Sequence, residues 1–276
     1  MQLNCAGTVL DLAHPQVMGI LNVTPDSFSD GGRFVARDQA LAHARAMVEE
    51  GAAIIDVGGE STRPGAEAVP LQQELDRVVP VIEALRAELP AAVSVDTSKP
   101  EVMRAAVAAG AGLINDVRAL REPGALAAAV DAGVPVCLMH MQGEPRSMQQ
   151  QPQYTDVVAE VRDFLLERAA ACEAAGIPPD RILLDPGFGF GKTVEHNLRL
   201  LKHLPVLADT GYAVLAGLSR KSLIGAVLGL PVERRLAPSV ALAVLAVWQG
   251  ARIVRAHDVA ATVQAVRMCE AVRGVD

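Results

Sequence analysis

Polar and ionisable side chains lie at or just after the end of each of eight short aliphatic stretches in this sequence, and their types fall into two groups. Carboxylates and amides can accept hydrogen bonds from a flat heterocycle rich in N–H donors, as a carboxylate accepts from a guanidinium. Arginine, lysine and histidine side chains are suited instead to an anion such as a phosphate. The polar residues at these ends are Asn22, Asp56, Asp96, Asn115, Asp116, His140, Asp185, Ser219, Arg220, Lys221, Arg255 and His257.

We assign one group to a heterocycle and the other to an anion. The heterocycle group is Asp96, Asn115 and Asp185. The anion group is Arg63, Lys221, Arg255 and His257. Because carboxylates repel a phosphate, we expect the cations to lie on the opposite rim of the site. The structural alternatives are a helix N-cap for each aspartate and an ordinary salt bridge for Arg255.

Lysine is scarce in this chain, since only four of its 25 lysines and arginines are lysines. Lys192 and Lys221 come directly after the sixth and seventh aliphatic stretches, which favours a functional position for both. The first of them belongs to LLDPGFGFGKT, residues 183–193, which ends like a nucleotide-binding P-loop. A P-loop requires GxxxxGK[ST], however, and Pro186 occupies the position of its first glycine.

We therefore interpret Asp185 as the functional residue of this stretch, an acceptor for the amino edge of the heterocycle. The alternating glycines would let the backbone turn closely beside the bound ring, and Phe190 would wall the pocket. The sequence leaves open whether Asp56, His140 and Phe190 contact substrate.

Two loops rich in Gly, Pro, Ser and Thr follow the first and second stretches, NVTPDSFSDGGRF and GGESTRPGAEAVP. Each carries one residue unusual for such a loop, Phe28 in the first and Arg63 in the second. They are either ordinary surface loops or a pair of lids that close over substrate, and we favour the lids.

The positions of these residues depend on the elements that carry them. The eight stretches are residues 17–23, 52–58, 91–96, 112–117, 134–140, 181–185, 212–218 and 251–257. Continuous apolar strands that alternate with helices predict a parallel sheet buried on both faces. We predict one domain over residues 1–276, a TIM-type (β/α)8 barrel with a short N-terminal hairpin closing its bottom. An open doubly wound sheet is the alternative.

Helical periodicity fills the intervals between the stretches. An apolar stripe over residues 41–48 ends at Gly51, and residues 98–101 have the sequence of a capping box with Pro100 in the first turn. In a barrel of this kind the active site lies at the carboxyl ends of the strands, where the polar residues fall.

Composition narrows the range of partners. The chain of 276 residues has 51% hydrophobic residues and a net charge of −7, without a basic run, so nucleic acid and anionic membranes are excluded as expected partners. Its four cysteines are widely spaced and predict reduced, buried thiols. No secretory signal is apparent, and VALAVLAVWQGA is too short to span a bilayer, so we expect a cytoplasmic protein.

Eight motifs in order, one per strand, resemble those of the dihydropteroate synthase family. They are GILNVTPDSFSDGG, IIDVGGESTRPGA, SVDTSKPEV, INDV, CLMHMQG, LLDPGFGFGKT, GLSRKSLIG and RAHDV. The resemblance runs from residue 17 to the C-terminus and implies a homodimeric (β/α)8 barrel of folate synthesis. Such an enzyme joins (7,8-dihydropterin-6-yl)methyl diphosphate to 4-aminobenzoate with Mg²⁺ bound to the diphosphate, and sulfonamides inhibit it.

The resemblance also implies roles for individual residues, motif by motif. Pterin would be held by Asp96, Asn115, Asp185 and Lys221. Asn22 would bind Mg²⁺ and, with Thr62, Arg63, Arg255 and His257, the diphosphate. Phe28, Pro64 and Ser222 would form the aminobenzoate pocket. No covalent nucleophile is implied, and Arg63 and Lys221 would act on the transition state and the loops.

Three other functions compete with this interpretation. A barrel that moves a methyl group from methyltetrahydrofolate to a corrinoid protein would have no use for the serine-rich or STRPG loops. A non-catalytic pterin-binding paralogue would be expected to lose Asn22, Arg63 or Lys221, and all three are present. A Schiff-base aldolase would use Lys221 or Lys192, and we expect borohydride to trap no adduct.

Overall fold

The computed structural model describes residues 1–24, 33–61, 68–143, 148 and 151–275, except for the side chains of residues 33–36. Within these ranges the chain forms an antiparallel hairpin of two strands and a closed barrel of eight parallel strands. The hairpin strands are β1 (Gln2–Cys5) and β2 (Thr8–Asp11). The barrel strands are β3 (Gln16–Asn22), β4 (Ile54–Gly58), β5 (Ala92–Asp96), β6 (Leu113–Asp116), β7 (Val136–Met139), β8 (Ile182–Asp185), β9 (Ala213–Ala216) and β10 (Ile253–Ala256).

Helices follow the barrel strands and cover the outside of the barrel. They are α1 (Arg33–Glu49), α2 (Leu71–Glu88), α3 (Pro100–Ala108), α4 (Ala125–Ala132), α5 (Val157–Ala174), α6 (Val194–Lys202), α7 (Pro205–Ala208), α8 (Ser222–Leu228), α9 (Leu236–Trp248) and α10 (Val259–Arg273). The stripe predicted on α1 is buried apart from the half-buried Val48, and the helix ends just before Gly51, whose φ is +101°.

The barrel closes through β10, which pairs with β9 on one side and with β3 on the other. Ile253 is the register partner of Leu215 on β9 and of Gln16 on β3. Among the described strands of the barrel this pairing leaves no free edge. The predicted (β/α)8 barrel is therefore confirmed, and the open sheet is excluded.

The barrel strands are buried on both faces, which explains why they appear as continuous apolar stretches. Outward side chains such as Ile55 and Val57 belong to the main core between the strands and the helices. Inward side chains near the start of each strand, such as Met18 and Ile54, form a second core inside the barrel.

The hairpin closes the bottom of this inner core. Leu3 and Leu12 are each only 1% exposed and pack with the inward side chains of the barrel. A Cβ at Gly112 would lie 2.5 Å from the carbonyl oxygen of Cys5, so the hairpin backbone rests directly on this glycine. The prediction of a hairpin at the N-terminal end of the barrel is confirmed.

The predicted capping box at the start of α3 is wrong. The helix begins at Pro100 as expected, but its N-cap residue is Lys99, which makes no side-chain capping bond. The hydroxyl of Ser98 donates instead to the buried Asp116 carboxylate. A buried carboxylate depends on protein hydrogen-bond donors, whereas a helix terminus in contact with water can be hydrated instead. Asp116 also accepts from the Arg118 and Leu120 N–H groups, at 2.8 and 2.7 Å.

No helix in the described ranges is long and apolar enough to cross a membrane. The four cysteines are buried and unpaired. Three consecutive helices nevertheless expose large apolar side chains, among them Leu228 on α8, Leu245 and Trp248 on α9, and Met268 on α10. We call this surface the α8–α10 face.

Candidate active site

A cavity that is partly open to solvent lies at the carboxyl ends of the barrel strands. It is lined by Asp96, Asn115, Val117, Met139, Asp185, Gly187, Phe188, Phe190, Gly217, Lys221 and Arg255. The four residues assigned to the pterin, Asp96, Asn115, Asp185 and Lys221, are thus brought together around one cavity.

Strand parity explains which polar residues point into the barrel. Side chains alternate along a strand, so a residue two positions beyond an inward apolar residue also faces inward. Asn115 lies two positions after the inward Leu113, and Asp185 two positions after Leu183. Arg255 stands in the same relation to Ile253. The barrel therefore places these three polar side chains directly above its apolar inner core.

Arg255 joins two buried carboxylates beside the cavity. Its Nε donates to Asp56 Oδ2 at 2.6 Å, and its Nη2 donates to Asp96 Oδ2 at 2.9 Å. The Asn115 amide donates to the same Asp56 oxygen at 3.1 Å. Asp56 is fully buried and lies beneath the cavity rather than on its wall. Two carboxylates in the barrel interior require a cation, and Arg255 supplies it.

The expected separation of cations and carboxylates is therefore wrong for Arg255 and Lys221. Both line the cavity together with Asp96 and Asp185. Burial raises the pKa of Asp96 to about 7, although the Arg255 guanidinium opposes this rise. The carboxylates and the cations form one mixed site because each charge, once buried, is stabilised by the other.

Asp185 offers an acceptor to a ligand. One of its oxygens accepts from the Gly187 N–H at 2.7 Å, and no other donor reaches the carboxylate within the described ranges. Burial raises its pKa above the ordinary value, while the Gly187 N–H and Lys221 oppose this rise. A donor-rich ligand edge would supply the missing hydrogen bonds and favour the charged carboxylate.

Lys221 and Phe190 also line the cavity and contact each other. The Lys221 ammonium lies 4.2 Å from the centre of the Phe190 ring, a favourable cation–π arrangement. Burial lowers the pKa of Lys221 to about 8, against the opposing effect of Asp185. The prediction that Phe190 forms a wall of the pocket is confirmed. The Lys221 side chain, whose pKa is close to neutral pH, lies beside this ring.

The alternating glycines after β8 also have a purpose that the sequence did not predict. Gly187, Gly189 and Gly191 all have positive φ angles, 66°, 82° and 61°. A Cβ at Gly187 would lie 1.9 Å from the His140 carbonyl oxygen, and a Cβ at Gly191 would lie 2.3 Å from that of Gln142. The glycines chiefly let this loop approach the backbone that follows β7.

The end of the same loop has a structural role at the start of α6. This agrees with the sequence-based conclusion that the loop is not a P-loop. The Thr193 side chain accepts from the His196 N–H at 3.2 Å and caps α6. His140 does not line the cavity; its ring packs edge-on against Phe164, with centroids 4.9 Å apart. Burial lowers the pKa of His140 to about 2, with the Lys192 ammonium acting in the same direction, so the ring is neutral.

Arg255, also assigned to the diphosphate, lies in the barrel interior and is paired with Asp56 and Asp96. The other residues assigned to the diphosphate lie near the rim of the barrel or outside the described ranges. Asn22 ends β3, next to Gly58 and Asp96 in the strand register. His257 follows β10, and its Nδ1 lies 3.0 Å from Ser219 Oγ. Thr62 and Arg63 fall outside the described residues.

Of the residues assigned to the aminobenzoate, Ser222 is exposed at the start of α8. Phe28 and Pro64 fall outside the described residues. The structure accordingly describes the pterin side of the predicted site in full and the aminobenzoate side only at Ser222.

This fold and this site define a class of protein. Residues 18–257 match a family model described as pterin binding enzyme. The dihydropteroate synthase of Escherichia coli strain K12 is 55% identical over 271 residues, covering 98% of this chain and 96% of that protein. The chain belongs to the dihydropteroate synthase family.

Solved structures agree with this assignment. A Xanthomonas albilineans dihydropteroate synthase with 4-aminobenzoic acid has a TM-score of 0.94 and 58% identity, covering 100% of this chain and 99% of that one. Its complex with 7,8-dihydropteroate has a TM-score of 0.91 and 55% identity, with 100% of both chains covered. A Yersinia pestis dihydropteroate synthase with a sulfonamide drug has a TM-score of 0.95 and 54% identity, with 100% of both covered.

Proposed function

We propose that this chain condenses (7,8-dihydropterin-6-yl)methyl diphosphate with 4-aminobenzoate, giving 7,8-dihydropteroate and diphosphate. The observation that carries the proposal is the cavity in which Asp185, Asn115 and Lys221 face one another at the barrel mouth. Relatives at this level of identity and coverage are dihydropteroate synthases, and one has been solved with 7,8-dihydropteroate. None of these relatives is an aldolase or a corrinoid-dependent methyltransferase.

The cavity suits the pterin because its polar groups complement the ring. The amino-pyrimidinone edge of a pterin presents N–H donors, and the Asp185 carboxylate is an acceptor without a second donor among the described residues. Asn115 can both donate and accept, and Lys221 can donate to a ring carbonyl or nitrogen. Phe190 supplies an apolar surface for the flat ring.

The reaction requires stabilisation of a leaving group rather than a nucleophilic side chain. The C–O bond to the diphosphate breaks, the amine nitrogen forms a C–N bond to the same methylene carbon, and the amine loses a proton. If the C–O bond breaks first, the electron-rich dihydropterin ring spreads the positive charge that develops on the methylene. The protein then has to hold the pterin, bind the departing diphosphate, exclude water and present the amine in line.

A coupled assay for diphosphate release, run with and without 4-aminobenzoate, tests the proposal. We expect release with both substrates, together with formation of dihydropteroate. No release under any condition would identify the chain as a pterin-binding paralogue instead. If pterin diphosphate alone gives no release, bond cleavage does not precede attack by the amine.

We also propose Mg²⁺ as a cofactor, held by Asn22. The Asn22 side chain is half-buried and has no hydrogen-bond partner within the described ranges. No cluster of three metal-binding side chains occurs among the residues that the structure describes. A single protein ligand, the Asn22 amide oxygen, is sufficient for a Mg²⁺ ion that binds together with the diphosphate substrate. Such an ion keeps several of its waters and is held largely by phosphate oxygens. When bound, Mg²⁺ neutralises part of the charge of the diphosphate as it leaves.

Removal of Mg²⁺ with a chelator is therefore expected to abolish diphosphate release, and added Mg²⁺ should restore it. Asn22→Ala should raise the Mg²⁺ concentration for half-maximal activity by about tenfold or more. Mutation of residues that only orient a metal ligand already weakens metal binding by this amount. The measurement is a Mg²⁺ titration of both proteins. Full activity after chelation, or identical titrations, would contradict the role of Asn22.

We propose further that the protein is a homodimer formed through the α8–α10 face. Leu245, Trp248 and Met268 are 49%, 53% and 65% exposed, respectively, and they lie on two helices that pack against each other. Large apolar surfaces of this kind mark interaction sites. A second copy is the occupant we favour, because the family resemblance implies a homodimer and the same face on two copies can form an interface about a twofold axis.

Leu245→Asp is expected to convert the dimer to a folded monomer, because it places a charge within an apolar interface. Multi-angle light scattering after size exclusion measures the mass, and thermal unfolding reports on the fold. Leu198→Asp is the matched control, since Leu198 on α6 is 44% exposed and lies outside the α8–α10 face. A monomeric wild-type protein, or dissociation of the control variant, would count against this interface.

Localisation in the cytoplasm and inhibition by sulfonamides complete the proposal. The free, buried cysteines fit a reducing compartment. Sulfonamides resemble 4-aminobenzoate, and the Yersinia pestis relative has been solved with such a drug. Small molecules are the substrates, and the net charge of −7 supports neither nucleic acid nor an anionic membrane as a partner.

A further inference from the structure

Lys192 is buried, and no carboxylate of the described residues lies within salt-bridge distance of it. Its relative exposure is 3%, and within the described ranges it forms no salt bridge. Burial of an ammonium is unfavourable unless hydrogen bonds compensate for the lost water. The proposed reaction does not use this side chain, and it cannot bind a phosphate as a P-loop lysine does. Its position therefore requires an explanation.

Oxygen and nitrogen acceptors from two loops surround the Lys192 ammonium. Its Nζ lies 3.0 Å from the Gly187 carbonyl oxygen and 3.0 Å from that of Phe190. On the other side it lies 2.9 Å from His140 Nδ1 and 3.2 Å from the His140 carbonyl oxygen. Because the His140 ring is neutral, Nδ1 can accept. We call these four acceptors the Lys192 cage.

The cage belongs to the segment that forms a wall of the substrate cavity. Gly187 and Phe190 line that cavity, and their carbonyl groups are held by Lys192 from behind. The Gly187 N–H donates to Asp185, and the Phe190 ring carries the Lys221 ammonium. The carbonyl oxygens of Gly187 and Phe190 converge on Lys192 Nζ, and without a cation these two oxygens would repel each other.

We propose that Lys192 is a positioning residue for the pterin. Its ammonium cross-links the backbone after β8 to the backbone after β7, so that Asp185, Phe190 and Lys221 are held in their binding geometry before substrate arrives. The inference rests on the proposed function of this cavity. It assigns the lysine of the Gly-Lys-Thr sequence to the carbonyl groups of its own loop instead of to a ligand.

Lys192→Met tests this role, because methionine has a similar length and no N–H donor. We expect the KM for the pterin diphosphate to rise by about 10- to 100-fold, since displacement of a binding wall by ~1 Å has effects of this size. The KM for 4-aminobenzoate at saturating pterin should change less than about threefold, because the bonds removed lie on the pterin side. Lys202→Met on α6 is the matched control, since Lys202 is exposed.

A second variant keeps the test decisive if Lys192→Met does not fold. Lys192→Gln retains two N–H donors, and we expect it to fold and to show a smaller rise in the pterin KM than methionine does. Wild-type pterin KM in folded Lys192→Met would overturn the proposal, as would wild-type KM in Lys192→Gln if the methionine variant does not fold, or an equal rise in both substrate KM values. A glutamine variant that fails to fold would place Lys192 in the stability of the barrel and would also overturn it. Absence of activity in the wild-type protein would refute the proposed function separately.

Discussion

Asp185→Asn is expected to lower kcat/KM for the pterin substrate by about 30-fold or more. Loss of one partner from a buried, charged hydrogen-bonded pair costs about 2–5 kcal/mol, and about 1.4 kcal/mol corresponds to a tenfold change in rate. Asparagine keeps an oxygen that can accept from the Gly187 N–H, so the loop should remain in place. It presents an amide N–H₂ group to a pterin edge that also donates, and the two donors repel.

The measurement is steady-state diphosphate release over a range of pterin concentrations. Asp131→Asn, on the exposed side of α4, is the matched control and should behave as the wild-type protein does. We expect the unfolding temperature of Asp185→Asn to remain within a few degrees of the wild-type value. Wild-type kcat/KM in the Asp185 variant would show that the pterin binds elsewhere.

Arg255→Met is expected to be the most destabilising single change in the site. It would leave Asp56 and Asp96 buried in the barrel without their shared cation. Breaking a buried ion pair by removing one partner costs about 3–5 kcal/mol. We expect a large fall in the free energy of unfolding at pH 8 and a loss of pterin binding, because Asp96 and Arg255 both line the cavity.

The destabilisation by Arg255→Met should shrink as the pH falls. Burial raises the pKa of Asp96 to about 7, above its unfolded value, so the native protein holds this proton in a pH range where the unfolded chain has released it. Because the pKa of Asp96 is higher in the folded protein than in the unfolded chain, protonation of Asp96 contributes to the free energy of unfolding at low pH. This contribution is lost as the pH rises through about 7. Without Arg255 the carboxylates need protonation even more, so the variant should approach the wild-type stability near pH 5.

Chemical denaturation of both proteins at pH 5 and pH 8 makes this comparison. Arg104→Met, which removes an exposed arginine from α3, should have little effect at either pH. A destabilisation of Arg255→Met that is equal at the two pH values would show that lost packing, rather than unpaired carboxylates, is its cause.

The barrel could be predicted from sequence because burial on both faces leaves an uninterrupted apolar stretch for every strand. The residues at the strand ends then identified the mouth of the barrel. The alternation of side chains along a strand predicts, in addition, which of two neighbouring residues faces the cavity. Asn115 faces the cavity and Asp116 faces outward to Ser98, one position apart on the same strand. His140, three positions beyond the inward Cys137, faces outward for the same reason.

Other features of the site depend on contacts between distant segments, and no local pattern reports them. Arg255 is shared by Asp56 and Asp96, which lie about 200 and 160 residues away along the chain. The positions that Gly187 and Gly191 require are set by the backbone after β7. The sequence drew attention to Lys192, but three of its four hydrogen-bond acceptors are backbone carbonyl groups, which every residue has.

The closure of the barrel has a consequence for the synthesis of this protein on the ribosome. The ring is completed only when β10 pairs with β3, which joins residues near the two ends of the chain. Until β10 has emerged, β3 and β9 present unpaired edges, and such edges are prone to join other chains. A chain that ended between β9 and Ile253 could therefore not close the ring, and it would be left with two unpaired strand edges that promote aggregation.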